Sequence, residues 1–285
     1  MTIQALVQQL FVGIASGLVL YLSASGMSLI MSGLAVINFG QGSFYVAGLY
    51  FAWWVANHFS FWPALILVPI GVGLVGGIVE LLLRPLYGKN MLYQLLVTMG
   101  FSYILSDSMV LVFGRVTRMV KPPFKITLSV LGVDFSGYYL LIICVALLVA
   151  VIFWIMFSKT KLGMMFRAII SNREMVGNLG VNVKFLFSIM FMIGVGLAGL
   201  AGVLQAPIQS ISITAGGAVL NSVMIILIIG GLTSMKGAFV ASLLVGIVNA
   251  IGAVFFPSFY SLIPVTIMLI VLMFKPNGLF QAKGV

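Results

Sequence analysis

Residues 6–31 read LVQQLFVGIASGLVLYLSASGMSLIM and contain no Asp, Glu, Lys, Arg or His. At a rise of 1.5 Å per residue a helix of this length is about 39 Å long. That is enough to cross a hydrocarbon core of roughly 30 Å. No Lys or Arg precedes the run, and it is too long for the apolar centre of a signal peptide, so it is predicted to be a retained span. Its neighbours repeat the pattern: 33–57, 61–83, 91–113, 138–157, 185–206, 211–232, 238–256 and 259–274 are all dominated by apolar residues. The whole chain agrees, with 62% of its 285 residues hydrophobic and 6% charged. A soluble domain carries about 25% charged residues, and a soluble chain this apolar would expose patches that drive aggregation. The expected fold is all-α: one polytopic transmembrane domain over residues 1–285 with about eight or nine helices crossing the bilayer. Its surroundings are membrane lipid.

The net charge is +10, from 14 Lys+Arg against 4 Asp+Glu. In a soluble protein that surplus would suggest nucleic acid, but here the cations sit in short loops and set topology. Alternating the loops puts Arg84, Lys89, Lys159, Lys161, Arg167, Arg173, Lys184, Lys236, Lys275 and Lys283 on one side, and Arg115, Arg118, Lys121 and Lys125 on the other. The first side is expected to be cytoplasmic, with the C-terminus. Cys144, the one cysteine, is expected to be a small hydrophobe of the core.

Enzymatic chemistry finds no residues to carry it. There is no G-x-x-x-x-G-K-[ST] loop to cradle a nucleotide, no H-E-x-x-H, and one histidine, His58, beside the interfacial pair Trp53–Trp54. No metal site, cofactor or catalytic residue is expected in the chain. What remains is transport.

Two segments break their apolar runs with glycine, INFGQGS at 37–43 and ITAGGAVLNS at 213–222, in comparable places of the two halves. Paired interruptions of this kind point to a central pathway. Irregular backbone at membrane depth survives only against protein or water, so Asn38, Gln41, Ser43, Asn221 and Ser222 are either pathway-lining groups or part of glycine-mediated helix packing. Asp107 lies within 91–113, near Ser102, Tyr103, Ser106 and Ser108. Carboxylates at such places face a bundle interior or cavity; it could meet a substrate ammonium or pair with Arg115. Glu80 and Arg84, four apart with the acid first, are expected to form an ion pair at a helix end.

The longest charged interruption is 158–184, SKTKLGMMFRAIISNREMVGNLGVNVK. It carries a short helical pattern closed by Gly177 and Gly180, which suits docking into a groove on a cytoplasmic partner.

This loop resembles that of permease subunits of ABC importers, whose pattern is E-A-A-x-x-x-G: Glu174 and Gly180 keep the spacing, with Met175 and Val176 at the alanines. The chain is similar, more specifically, to the branched-chain amino acid importer permeases. Leu162, Gly163, Arg167, Ala168, Asn172, Glu174, Leu179, Gly180 and Asn182 match that family's loop. INFGQGSFYVAG resembles its INFAHGEFYMLG, ELLLRPLY its E-x-x-x-RPL, and TMGFSYIL its TIGLSIIL. IIGGLTSMKGA resembles its GG-x-GS-x-x-GA turn and KPNGLF its C-terminal RP-x-GLF. Gln41, Ser43 and Thr233 depart from the family's His, Glu and Gly, and two of these changes remove ionisable groups.

The resemblance implies an inner-membrane permease working with a second, similar permease, two cytoplasmic ATPase subunits that bind ATP and Mg, and a periplasmic or extracellular substrate-binding protein. The loop residues Gly163, Arg167, Asn172, Glu174, Gly180 and Asn182 would then couple to the ATPases. The solute would be a branched-chain or other hydrophobic amino acid, or a related small organic molecule. The rival expectation is a stand-alone channel for a small neutral solute such as urea, which needs no docking loop.

Overall fold

The computed structural model describes residues 3–114, 117–124, 126–130, 133–255, 257 and 259–280. Eleven helices run in chain order among them: α1 (Ile3–Leu34), α2 (Gln41–His58), α3 (Phe61–Leu83), α4 (Met91–Phe113), α5 (Tyr138–Lys159), α6 (Lys161–Ser171), α7 (Arg173–Asn178), α8 (Val183–Gln205), α9 (Ala215–Gly230), α10 (Met235–Phe255) and α11 (Ile263–Phe274). The polar stretch before α5 forms a two-stranded antiparallel hairpin, β1 (Thr127–Val130) and β2 (Val133–Ser136), with Leu128 opposite Phe135.

Six of these helices are long and apolar enough to cross a membrane: α1, α3, α4, α5, α8 and α10. The other three apolar runs, 33–57, 211–232 and 259–274, give the shorter helices α2, α9 and α11. The reason is visible in the backbone. The chain leaves α1 through Ala35, at φ 55°, and is irregular until Gln41 starts α2. In the second half the break lies ahead of the expected glycines: residues 206–214 are irregular, while Gly216 and Gly217 sit in the first turn of a continuous α9.

The core is built on α1 and α8. Every residue of 21–30 is buried, as is every residue of 194–204. Their backbones approach at Gly26 and Gly194, where a Cβ on Gly194 would stand 2.6 Å from the Gly26 carbonyl oxygen. In lipid, helices gain little from apolar burial and associate where small residues permit such close packing. α10 lies against α1 in the same way, with Gly17 under the Ser242 carbonyl at 2.7 Å from a notional Cβ. α3 packs on α8, whereas α4 reaches the rest of the chain chiefly through α2. Cys144 is not in this core; it is exposed on the outer face of α5.

Two of the resembling motifs, far apart in sequence, meet. Leu279 N donates to the Ile229 carbonyl at 2.8 Å and Phe280 N to that of Gly230 at 3.2 Å, so the PNGLF segment straps the turn after α9. Gly231 and Gly278, at φ 103° and 83°, allow the backbones to cross there.

Candidate coupling loop and solute pathway

Residues 160–182 form two short helices folded back on the end of α5. Thr160 caps α6, its hydroxyl accepting from Gly163 N at 3.1 Å. Gly163 is required because a Cβ there would collide with the carbonyl oxygens of Met156 and Phe157. Arg167, on the exposed side of α6, donates to the Phe157 carbonyl, while Phe166 and Ile169 turn inward and are buried. Asn172 ends α6 and caps α7, its Oδ1 accepting from Met175 N at 3.0 Å. Gly180 supplies φ 82° between α7 and α8, and Asn182 caps α8 by accepting from Phe185 N at 3.1 Å. Glu174 is exposed in the first turn of α7, where a carboxylate opposes the positive helix end.

Four of the six loop residues therefore shape the backbone, and the two charged ones face outward. Between them the loop presents apolar side chains to solvent: Met164 is 62%, Met175 62% and Leu179 73% exposed.

Glu80 and Arg84 pair, Nε to Oε2 at 3.0 Å, but the pair is not a free helix end. Glu80 is fully buried and also accepts from Ser188 Oγ at 2.7 Å and Tyr87 OH at 3.1 Å. The network bolts α3 to the start of α8, just after the loop. Burial, and then the Glu80 carboxylate, hold the Tyr87 phenol above its ordinary range, so it stays a donor. Ser188 was not visible from sequence spacing, since it lies 104 residues from Arg84.

The pathway candidates divide. Asn38 and Gln41 are fully buried and turned into the fold. Gln41 Nε2 donates to the carbonyls of Ser23 at 3.0 Å and Gly194 at 3.2 Å, and its Oε1 accepts from Asn38 Nδ2 at 3.2 Å. One side chain thus ties α2 to both central helices at a level inside their length. Ser43 reaches α4, with Ser102 Oγ at 2.6 Å and Ser106 Oγ at 3.0 Å. Thr98, also unforeseen, accepts from Phe39 N at 3.3 Å and anchors the irregular segment to α4. Asp107 is exposed on α4; its expected partner Arg115 lies outside the described residues. Asn221 is exposed on α9, and the Ser222 hydroxyl donates to the Ala218 carbonyl at 3.0 Å. What joins the two interrupted segments is backbone: α2 and α9 cross at Gly42 and Gly216, where a Cβ on Gly216 would lie 2.9 Å from the Gly42 oxygen.

Sequence comparison places this architecture. Residues 9–272 match the family model described as branched-chain amino acid transport system / permease component. The high-affinity branched-chain amino acid transport system permease protein BraD of Pseudomonas aeruginosa is 27% identical, with 95% of this chain and 94% of the relative covered. The probable branched-chain amino acid transport permease protein LivH of Methanocaldococcus jannaschii is 26% identical over 91% and 88% of the two chains. The high-affinity LivH permease protein of Escherichia coli is 23% identical over 95% and 94%. A match that takes in the six long apolar helices, the capped loop and the interrupted segments spans the whole architecture, and the chain belongs to the family of branched-chain amino acid transport system permease components.

Proposed function

We propose that this chain is the membrane-spanning subunit of an ATP-driven importer for a branched-chain or other hydrophobic amino acid, or a related small organic solute. It hydrolyses nothing itself. A second, homologous permease completes the transmembrane unit, two cytoplasmic ATPase subunits bind ATP and Mg, and a binding protein on the far side delivers the solute. In this reading α2, α9 and α11 bring the passes to eight or nine, and the loop side, with the C-terminus, is the cytoplasmic face of the inner membrane.

The observation that carries the proposal is the loop of α6 and α7. Its inner side is fixed by Phe166, Ile169 and Val176, its backbone by caps, and its outer side is left apolar and cationic. Such a rigid, partly apolar projection suits insertion into a groove on a soluble partner. ATP binding would close the ATPases against it and move the permease pair between outward- and inward-open states. A ligand shifts such an equilibrium only by its differential affinity, and turning a 1:99 population into 99:1 takes about 5.5 kcal/mol. A stand-alone channel would have no use for this loop and is disfavoured by the family match.

The test is replacement of Glu174 and of Gly180 in the assembled importer. Coupling predicts loss of ATP-dependent uptake with normal membrane insertion. Undiminished uptake in both variants would show that the loop does not dock.

A further inference from the structure

The contact between α3 and α8 changes character along its length. Through the apolar part it rests on small residues: a Cβ on Gly73 would stand 3.0 Å from the Met192 carbonyl oxygen, and one on Gly196 3.0 Å from that of Pro69. Such surfaces bring helices close, but apolar contact has no direction, and packed helices slide past one another in small shear movements. Among the described residues, side-chain hydrogen bonds join α3 and its cap to α8 at one place, where Glu80 and Arg84 meet Ser188. Both Glu80 oxygens accept from Arg84 Nε, at 3.1 and 3.0 Å; one accepts also from Tyr87 OH and the other from Ser188 Oγ.

The corner around this carboxylate gathers the coupling loop, the start of α8 and the lead into α4. Tyr87 lies edge-on to Phe187 of α8, with ring centroids 5.5 Å apart. The Leu86 carbonyl accepts from Gln94 Nε2 at 2.9 Å, which ties the α3–α4 connection to the first turn of α4. Arg173, the first residue of α7, brings Nη2 to 4.0 Å from where a Cβ on Gly88 would be. A buried ion pair is weak evidence for stability, since apolar replacements of such pairs are often neutral. What this one supplies is direction. A slide of ~1–2 Å, the size of helix shifts in switching transitions, would break the bond to Ser188.

We infer that Glu80 is a positioning residue for ATP coupling. It locks α3 in register with the start of α8, so that the force the ATPases exert on α6 and α7 passes through residues 84–90 to α4 and is not lost as sliding between α3 and α8. The inference deepens the importer reading and rests on it. With no exposed surface, the carboxylate acts only through its partners: Arg84 and Tyr87 belong to the α3–α4 connection and Ser188 to α8. One group therefore spans the joint between the element that follows the loop and the element that leads to α4.

The test uses the assembled importer with its binding protein in proteoliposomes, in a Cys144→Ser background, and reads solute taken up per ATP hydrolysed. Damage to the fold alone lowers uptake and hydrolysis together and leaves this ratio unchanged. Ser188→Ala, which keeps Arg84 on Glu80, is expected to lower the ratio severalfold while hydrolysis continues. Ser188→Thr, which retains the hydroxyl, should keep it. Glu80→Cys combined with Ser188→Cys should be uncoupled until ethanediyl bismethanethiosulfonate joins the two thiols, and joining them should restore the ratio. Glu80→Cys alone, given the same reagent, should stay uncoupled. An unchanged ratio in Ser188→Ala would overturn the inference, as would a Ser188→Thr variant as defective as the alanine. So would a linked pair that stays uncoupled, because α3 and α8 would then have to part during the cycle. Failure of the importer reading shows separately, as absence of ATPase subunits when the chain is purified from its native membrane.

Discussion

Ser188 Oγ donates to Glu80 Oε2 at 2.7 Å, across 108 residues of sequence, while Arg84 Nη2 reaches the same hydroxyl at 2.6 Å. A carboxylate with no exposed surface becomes the acceptor around which three side chains are arranged. Removing one member of a buried ion pair costs about 3–5 kcal/mol because the other is left uncompensated. Arg84 keeps a third of its side chain exposed, so the low end applies. Glu80→Ala is expected to lower stability by about 3 kcal/mol and Ser188→Ala by about 1 kcal/mol, read as thermal unfolding of the purified permease in mild detergent. Equal losses in the two variants would mean that the carboxylate is not the centre of the network.

The crossing of α2 and α9 gives a ranking of glycines. A Cβ on Gly42 would collide with the Gly216 carbonyl, whereas one on Gly216 meets its nearest atoms at 2.9 Å and one on Gly100 meets nothing within 4 Å. Backbone cannot swing aside as a flexible side-chain end does, so α2 must lift from α9 to admit the methyl group. The yield of folded protein in the membrane should fall most for Gly42→Ala, less for Gly216→Ala, and not at all for Gly100→Ala. Any other order would separate these close approaches from the stability of the bundle.

How much of this was legible in the sequence follows from which force dominates where. α3 and α4 begin and end at the limits of their apolar runs, Phe61–Leu83 and Met91–Phe113, because bilayer thickness and the polar residues flanking each run set helix length. The loop residues entered through the resemblance of 162–182 to the family's pattern, and what the fold adds is local: Asn172 and Asn182 are caps and Gly180 supplies a positive φ, each acting on residues only a few positions away. Side-chain direction was not legible. The runs are apolar on all sides, so no periodic stripe marks the inner face. Hence Gln41 and Asp107, both polar residues in apolar surroundings, look alike in sequence, yet one is locked among α1, α2 and α8 and the other faces outward. The hairpin of Thr127–Ser136 was missed too, as its four-residue strands stand beside Pro122 and Pro123, which mask the alternation.

Gln41 can be tested as a clamp. Both its donor hydrogens and its carbonyl are used, on Ser23, Gly194 and Asn38. Gln41→Leu keeps the volume but leaves the buried Asn38 amide unpaired, at about 1–3 kcal/mol, and takes from two helical carbonyls the second hydrogen bond that joins their helices to α2. Thermal unfolding should show a loss of at least about 2 kcal/mol. Ser43→Ala, which leaves Ser102 and Ser106 able to bond each other, should cost less. If the two substitutions are equivalent, Gln41 does not hold the three helices together.

The final prediction separates the shape of the coupling loop from its contacts. Asn172 and Asn182 face solvent, so a substitution there that failed would ordinarily be read as a lost contact with the ATPase. Their side chains are, however, engaged with Met175 N and Phe185 N at 3.0 and 3.1 Å, each a first-turn N–H that has no partner within its own helix, α7 or α8. Loss of an N-cap costs about 1 kcal/mol. α7, with six residues, has little else to fix it besides Val176. Asn172→Ala is therefore expected to reduce ATP-driven uptake severalfold while the ATPases go on hydrolysing, because a frayed α7 no longer transmits their closure. Asn172→Asp, which caps equally well and adds charge at the favourable helix end, should restore uptake. Asn182→Ala and Asn182→Asp should behave in the same way at α8. If the Asp variants are as defective as the Ala ones, the asparagines act through an amide contact with the partner and not through the helices they begin.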